Sequence, residues 1–178
     1  KNQESTFNFQ LLTFNSNQWR NNIKMRAAAS SIWDLETTKS KKEYGVMVHT
    51  ALAKIKSVDD IESAVNSMFS EGLVTVDEKE NLLFVISSIT KLPKLKANFI
   101  PGLTVKNEAE IISLTGEKFR LDRVVLNSPL KRGVRGLTAV IIDYKTGEEK
   151  PEHKKQILQY ADLLSQMGYV VTEKLLVY

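Results

Sequence analysis

The segment from Leu137 to Gly147 places the strongest constraint on the fold of this chain. Its first six residues are apolar or β-branched, and they run directly into Asp143, Tyr144 and Lys145 before a glycine ends the run. Such a run, bounded by turn residues, is typical of a strand buried on both faces of a sheet. Because side chains alternate along a strand, Asp143 and Lys145 point to the same side. Buried charges are costly unless they are paired or bind something, so this strand end is either a structural pair or a functional site.

The composition limits the classes of protein and of chemistry. A chain of 178 residues with 42% hydrophobic residues forms one domain of good size, or one domain with a small appendage. The absence of cysteine excludes disulfides, thiolate zinc sites, cysteine nucleophiles and cysteine-ligated iron–sulfur clusters. No apolar run reaches membrane-spanning length and no signal peptide is recognisable, so we expect a cytoplasmic protein with no membrane partner. The net charge of +4 is compatible with a polyanionic partner but does not require one.

The first half of the chain is predicted to be mainly helical. Residues 1–42 are polar and mixed, and we interpret them as an extension or linker from a preceding region, with one candidate strand between Phe7 and Phe14. The domain itself is predicted to cover residues 43–178. A helical pattern begins at Gly45, with His49 at the border of its apolar stripe, and Gly45 one turn earlier allows something to approach closely.

Two more helices are predicted before the chain changes character. The first begins at a cap formed by Ser57 or Asp59 and covers residues 61–69, with Gly72 just beyond its end. The next begins at a cap formed by Asp77, and Pro93 limits its extent.

The second half of the chain predicts an α/β fold. Strands are expected at 105–114 and 118–126, joined by a tight turn at 115–117, and then at 137–145. A helix from 151 to about 167 separates the third strand from a last strand at 169–178. We therefore predict a mixed sheet flanked by helices on both faces, with an antiparallel hairpin followed by a parallel crossover.

Several polar residues interrupt these apolar patterns at or near predicted strand ends. The candidates are His49, Glu108, Asp122, Asp143, Lys145, Gln156 and Tyr160. Two or more carboxylates at strand ends form a natural site for Mg²⁺, and an adjacent imidazole also suits Mn²⁺. A bound cation of this kind activates water and orients a phosphate, and a nearby lysine stabilises the developing charge. No P-loop and no dinucleotide fingerprint is present.

The loop at 127–136 carries three cations before the buried strand. Lys131, Arg132 and Arg135 are candidates for contacts with nucleic-acid phosphates. A solvated loop is the alternative interpretation, because most exposed cations contact only water.

The order of these motifs resembles the RecB/AddA-type branch of the PD-(D/E)XK nuclease superfamily over about residues 43–178. The matching motifs are Gly45 to His49, Asn107-Glu108, Arg120 to Val124, Ile142 to Gly147, and Gln156 to Tyr160. The middle motif of this family often reads R-P-D-R-V. Leu121 replaces the proline here, a change that should not disturb Asp122.

The resemblance implies a restriction-endonuclease-like fold and a role for each matching residue. His49, Asp122 and Asp143 would hold Mg²⁺ or Mn²⁺, and Lys145 would assist the attacking water. Glu108 matches the supporting acid of the family, so that the catalytic set would be Glu108, Asp122, Asp143 and Lys145. The Q-x-x-x-Y motif, Gln156 with Tyr160, would contribute to the DNA-binding side of the site.

The resemblance also implies a biological setting. It is closest to the type without an iron–sulfur cluster that lies at the C-terminus of UvrD-like helicases. Because the chain does not begin with Met, we expect it to be a domain excised from such a protein. The implied activity is a metal-dependent deoxyribonuclease, an exonuclease on single strands unwound by the helicase motor, in DNA-end processing and recombinational repair. A second nuclease or helicase subunit is a further implied partner.

Two alternatives stay open on the sequence. In the first, the domain is catalytically silent and binds nucleic acid or scaffolds a partner subunit of a helicase complex. In the second, the acids and the lysine form buried structural pairs in an α/β domain without a site. The second alternative predicts that loss of either Asp143 or Lys145 destabilises the fold, because the remaining partner is a buried, unpaired charge.

Overall fold

A computed structural model of the chain describes residues 10–12, 41–113, 115–126 and 137–178. These residues form a five-stranded sheet and four α-helices. In chain order the elements are β1 (Gln10–Leu12), α1 (Lys41–Lys54), α2 (Ile61–Ser70), α3 (Val76–Thr90), β2 (Thr104–Ile112), β3 (Lys118–Leu126), β4 (Leu137–Tyr144), α4 (Pro151–Gln166) and β5 (Tyr169–Val177). Short 3₁₀ turns lie at Val58–Asp60 and Lys96–Asn98.

The strand order is β1-β5-β4-β3-β2, and the sheet is mixed. β2, β3 and β4 are antiparallel neighbours, whereas β4 and β5 run parallel across the α4 crossover. The predicted mixed α/β architecture is therefore confirmed, with its antiparallel hairpin and its parallel crossover. The short β1 adds to β5 in parallel and comes from the segment interpreted as an extension. The domain boundary at residue 43 stays a prediction.

The hydrophobic core has two layers, one on each face of the sheet. One layer packs α1, α2 and α3 against Val140 and Ile142 of β4. The other packs α4 against Ala139 and Ile141 of the same strand. Every residue of β4 after Leu137 is buried. A central strand covered by helices on both sides explains the near-continuous apolar run in the sequence.

Three predicted boundaries are wrong. α1 begins at Lys41, four residues before the predicted start at Gly45. α3 is capped by Thr75, whose hydroxyl accepts from the Glu78 N–H while the Glu78 carboxylate accepts from the Thr75 N–H. This reciprocal capping box fixes the helix start before Asp77, which lies in the first turn. β2 ends at Ile112, two residues earlier than predicted, because the chain turns back through Ser113.

Strands β2 and β3 both change face near their middle. Val105 and Ala109, four residues apart, would share one face of a regular strand, but they pack in opposite core layers. On β3 the same reversal separates Leu121 from Val125. The backbone of Glu108, between the first two, has a left-handed φ of 49°. In both strands the break falls where a predicted site acid lies.

Arg123 joins this hairpin to the C-terminal end of α1. Its guanidinium is fully buried and donates to the carbonyl oxygens of Ile55 (2.7 Å), Lys56 (2.7 Å) and Asn98 (2.8 Å). It also lies 3.9 Å from the centre of the Phe99 ring. A cation there satisfies carbonyls that helix geometry leaves without partners and lies at the negative end of the helix dipole.

We expect Arg123→Met to lower the free energy of unfolding by at least about 2 kcal/mol. The apolar stem is kept, but the carbonyls of Lys56 and Asn98 lose their donor, and the Ile55 carbonyl keeps only its bond from Asn107. Urea unfolding of the two proteins measures the difference. Arg120→Met, in which a 67% exposed arginine of the same strand is changed, is the control and should cost less than about 1 kcal/mol. Equal effects of the two substitutions would contradict the structural role of Arg123.

Candidate functional site

An open cleft of about 440 Å³ lies where β3 and β4 meet α1 and α4. Six of the seven predicted candidate side chains line it, namely His49, Asp122, Asp143, Lys145, Gln156 and Tyr160. They come from both helical layers and from the two central strands, so the fold brings together residues up to 111 positions apart in the sequence (160 minus 49).

Asp143 and Lys145 form an ion pair at the end of β4. The Lys145 Nζ lies 2.7 Å from the Asp143 Oδ2, and the Asp143 side chain is only 2% exposed. The contact lacks the direction of a hydrogen bond, and within the described part of the chain this buried oxygen accepts none. The predicted shared direction of the two side chains is confirmed. The pair is also the one that the structural alternative expects.

Lys145 is held in place from α4. Its ammonium donates to the Gln156 Oε1 at 2.7 Å, and the Gln156 Nε2 donates to the Tyr160 hydroxyl, also at 2.7 Å. Burial raises the pKa of Tyr160, so its phenol stays protonated at neutral pH. The prediction that Gln156 and Tyr160 share a helix face is confirmed. Together they hold the Lys145 ammonium in a fixed position.

His49 reaches the same cleft from α1. Its Nδ1 lies 3.7 Å from the Asp122 Oδ2, and its ring meets the Tyr144 ring edge-on at a centroid distance of 5.9 Å. Burial lowers the pKa of His49 below its usual value. The imidazole is therefore neutral at neutral pH and has a lone pair to offer to a cation.

Asp122 carries a strongly perturbed carboxyl. Burial, followed by the negative charge of Asp143, raises its pKa to about 7. The Tyr144 N–H donates to the Asp122 Oδ2 at 2.8 Å and offsets part of this effect. Two carboxylates that share a poorly solvated site favour a proton or a cation between them. Such perturbed groups in a cleft are typical of functional sites.

Glu108 lies beside the cleft and is not part of its lining. The pairing of Asn107 with Arg123 and of Ala109 with Leu121 places it opposite Asp122. Its carboxylate forms an ion pair with Arg120, with 2.7 Å between the Glu108 Oε2 and the Arg120 Nε.

The donor set has the chemistry of a divalent-cation site without its complete geometry. Among the described residues, no three His, Asp or Glu side chains are already gathered as a metal cluster. His49, Asp122 and Asp143 nevertheless offer one nitrogen and two carboxylates of the kind that Mg²⁺ and Mn²⁺ accept. The buried Asp143 Oδ2 accepts no hydrogen bond from the described residues and has the Lys145 ammonium beside it, so positive charge stabilises this position.

Gly45 is needed where α1 passes the end of β4. A Cβ at this position would overlap the methyl group of Thr146, the residue after Lys145. The predicted close approach is confirmed, and the approaching group is the Thr146 side chain.

Sequence reasoning missed the second set of cations at the cleft. Lys118 and Arg120 line it from β3, together with Phe119, whose ring lies edge-on to Tyr160. The sequence does contain a signal for them, because two cations lie at alternate positions of the strand that carries Asp122. Lys131, Arg132 and Arg135, the predicted phosphate contacts, lie outside the residues that the structure describes.

Neither a known protein-family model nor a curated protein matches this chain. In the part of the chain that the structure describes, no helix is both long enough and apolar enough to cross a membrane. A functional interpretation therefore depends on the residues of the cleft.

The raised pKa of Asp122 makes the stability of the metal-free protein depend on pH. Between its usual pKa of 3.8 and about 7, the folded state binds more protons than the unfolded state. The protonated Asp122 therefore contributes to the free energy of unfolding. This contribution is fully present below pH 3.8 and is lost as the pH rises through 7, by at most about 1.4 kcal/mol per pH unit. Asp122→Asn should remove this slope, as measured by urea unfolding in EDTA from pH 5 to 8.

The exposed Asp162, changed to Asn, is the control for this experiment and should leave the slope as in the wild type. If Asp122→Asn and Asp162→Asn unfold with the same pH dependence, Asp122 does not titrate near neutrality.

Proposed function

We propose that this chain is a divalent-metal-dependent DNA nuclease domain with a restriction-endonuclease-like fold. One observation carries the proposal: a single cleft collects a neutral histidine, two crowded carboxylates and a fixed lysine at the end of the central strand. This set matches the requirements of phosphodiester hydrolysis, which needs a hard cation, an oriented water and a positive charge near the phosphate.

His49, Asp122 and Asp143 are the residues that would hold the cation. Mg²⁺ or Mn²⁺, when bound, supplies a water of lowered pKa and compensates charge on the scissile phosphate. The two carboxylates would no longer repel each other, because the cation replaces the ammonium as their counter-charge. No iron–sulfur cluster is part of this proposal.

Lys145 is the residue that would act on the reacting atoms. Its ammonium, held by Gln156 and indirectly by Tyr160, has a fixed position beside Asp143. In the proposed reaction it orients the attacking water and stabilises the charge that develops on the phosphate. Glu108 is a supporting acid next to Asp122.

The proposed substrate is a single DNA strand. Lys118 and Arg120 supply positive charge on one wall of the cleft, and the partly exposed Phe119 supplies aromatic surface there. Cations that follow the backbone, combined with aromatic side chains, are typical of single-strand binding. We further propose an exonuclease in DNA-end processing and recombinational repair. It would work in the cytoplasm with a helicase motor of the parent chain and a second nuclease or helicase subunit.

A second candidate is a catalytically silent domain that binds nucleic acid or scaffolds a partner. The Asp143–Lys145 pair favours it, because the lysine at 2.7 Å already neutralises a carboxylate that the nuclease needs for its cation. In that case the pair is a structural element of the strand end.

Lys145→Met separates the two candidates. In the nuclease, removal of the competing ammonium leaves the metal site intact, so Mg²⁺ or Mn²⁺ should raise the melting temperature by roughly 5 °C or more over EDTA. Cleavage of labelled single-stranded DNA should nevertheless fall at least about 100-fold. Asp143→Asn should lose both the thermal shift and the cleavage.

Two exposed residues of α4 provide matched controls. Lys155→Met and Asp162→Asn should keep the metal-dependent shift and the cleavage of the wild type. A wild type with equal melting temperatures in EDTA, Mg²⁺ and Mn²⁺ and no cleavage would overturn the nuclease proposal. DNA binding that persists in that protein would then support the silent domain.

A further inference from the structure

The C-terminal end of α1 is fastened to the strand pair that carries the site acids. The Asn107 amide donates to the carbonyl oxygens of Ala53 (2.9 Å) and Ile55 (2.8 Å). Arg123 donates to the Ile55 oxygen as well and to the Asn107 Oδ1 at 3.2 Å. Asn107 and Arg123 are cross-strand partners, and each is the direct neighbour of a site acid in the sequence. The helix end and the acids therefore share one rigid attachment.

The N-terminal part of α1 has a second attachment, at the other central strand. Gly45 is buried against the side chain of Thr146, with the Thr146 Cβ 3.0 Å from the place that a Cβ of residue 45 would occupy. Thr146 directly follows Lys145, so this contact fixes the helix relative to the end of β4. A Cβ at residue 45 would overlap the Thr146 side chain, so α1 and the end of β4 must move apart unless the exposed threonine side chain turns away.

His49 lies midway between the two attachments. Gly45, His49 and Ala53 are spaced by four residues and therefore share one face of α1. Because both attachments are adjacent to site residues, a shift of either end of α1 changes the 3.7 Å separation between His49 and Asp122.

We propose that the Gly45–Thr146 contact and the Asn107–Arg123 cap are a positioning device, which holds the His49 imidazole over Asp122 as part of the cation site. The role toward a cation rests on the proposed nuclease function, whereas the placement of the imidazole does not. Residues behind the ligands of a metal commonly set its affinity by 10- to 100-fold, roughly.

The test changes the fit between α1 and β4 and then restores it. Gly45→Ala introduces the overlap with Thr146, and Thr146→Ala in the same chain removes the methyl group that is overlapped. Two readouts are measured: the nuclear Overhauser effect between the rings of His49 and Tyr144 without metal, and the dissociation constant for Mn²⁺. His153, the other histidine of the chain, is the internal reference for the ring signals.

We expect Gly45→Ala to weaken or abolish the ring–ring signal and to raise the Mn²⁺ dissociation constant roughly tenfold or more. The double variant should recover most of both. Leu82→Ala, which destabilises the core from α3 away from the cleft, should change neither readout. Should Gly45→Ala fail to fold, Asn107→Ala tests the other attachment with the same readouts.

The proposal is overturned if the folded Gly45→Ala protein keeps the ring–ring signal of the wild type. It is also overturned if the signal is lost but the double variant does not regain it, because the contact would then not set the position of the ring. A wild type that binds no Mn²⁺ refutes the proposed cation site. The ring–ring signal still decides the positioning role in that case.

Discussion

The guanidinium of Arg123 is fully buried, and its hydrogen bonds to backbone carbonyls determine where α1 meets the sheet. An uncompensated buried charge would cost several kcal/mol, roughly. Here the carbonyls at the end of a helix, the Asn107 side chain and the face of an aromatic ring provide the compensation. Because these partners come from the residues directly after α1, from β2 and from the 3₁₀ turn, one side chain aligns three parts of the fold. The position of His49 relative to the strand acids follows from that alignment.

The chemistry of the cleft follows from the poor hydration of its two carboxylates. Asp122 lies in the middle of β3 and Asp143 lies near the end of β4, and neither carboxylate is well hydrated because their side chains are only 15% and 2% exposed. The raised pKa of Asp122 and the ion pair of Asp143 with Lys145 are two responses to this condition. A divalent cation would be a third response and would free the ammonium for a substrate phosphate. The structural and the catalytic interpretations thus share one premise, that the two poorly hydrated carboxylates need a proton or a positive charge beside them.

The sequence predicts the fold more completely than it predicts the site. The bounds of β3, the antiparallel β2–β3 hairpin and the parallel β4–β5 crossover follow from local patterns, since alternation and turn residues act over a few positions. The convergence of His49 with Asp122 was expected from the resemblance. The burial of Arg123 could not be predicted, because its hydrogen-bond partners lie 16 to 68 positions away and a charged residue in a strand normally faces water. The left-handed backbone of Glu108 likewise depends on the break in both strands and not on its own residue type.

The most direct test of the central claim is anomalous diffraction from crystals of the protein soaked with Mn²⁺. The account predicts one strong peak in contact with His49, Asp122 and Asp143, with the Lys145 ammonium moved away from the Asp143 Oδ2. No peak at this position, in a protein that keeps Lys145 against Asp143 as in the metal-free structure, would contradict it. The cleft would then be a structural charge pair and not a catalytic centre.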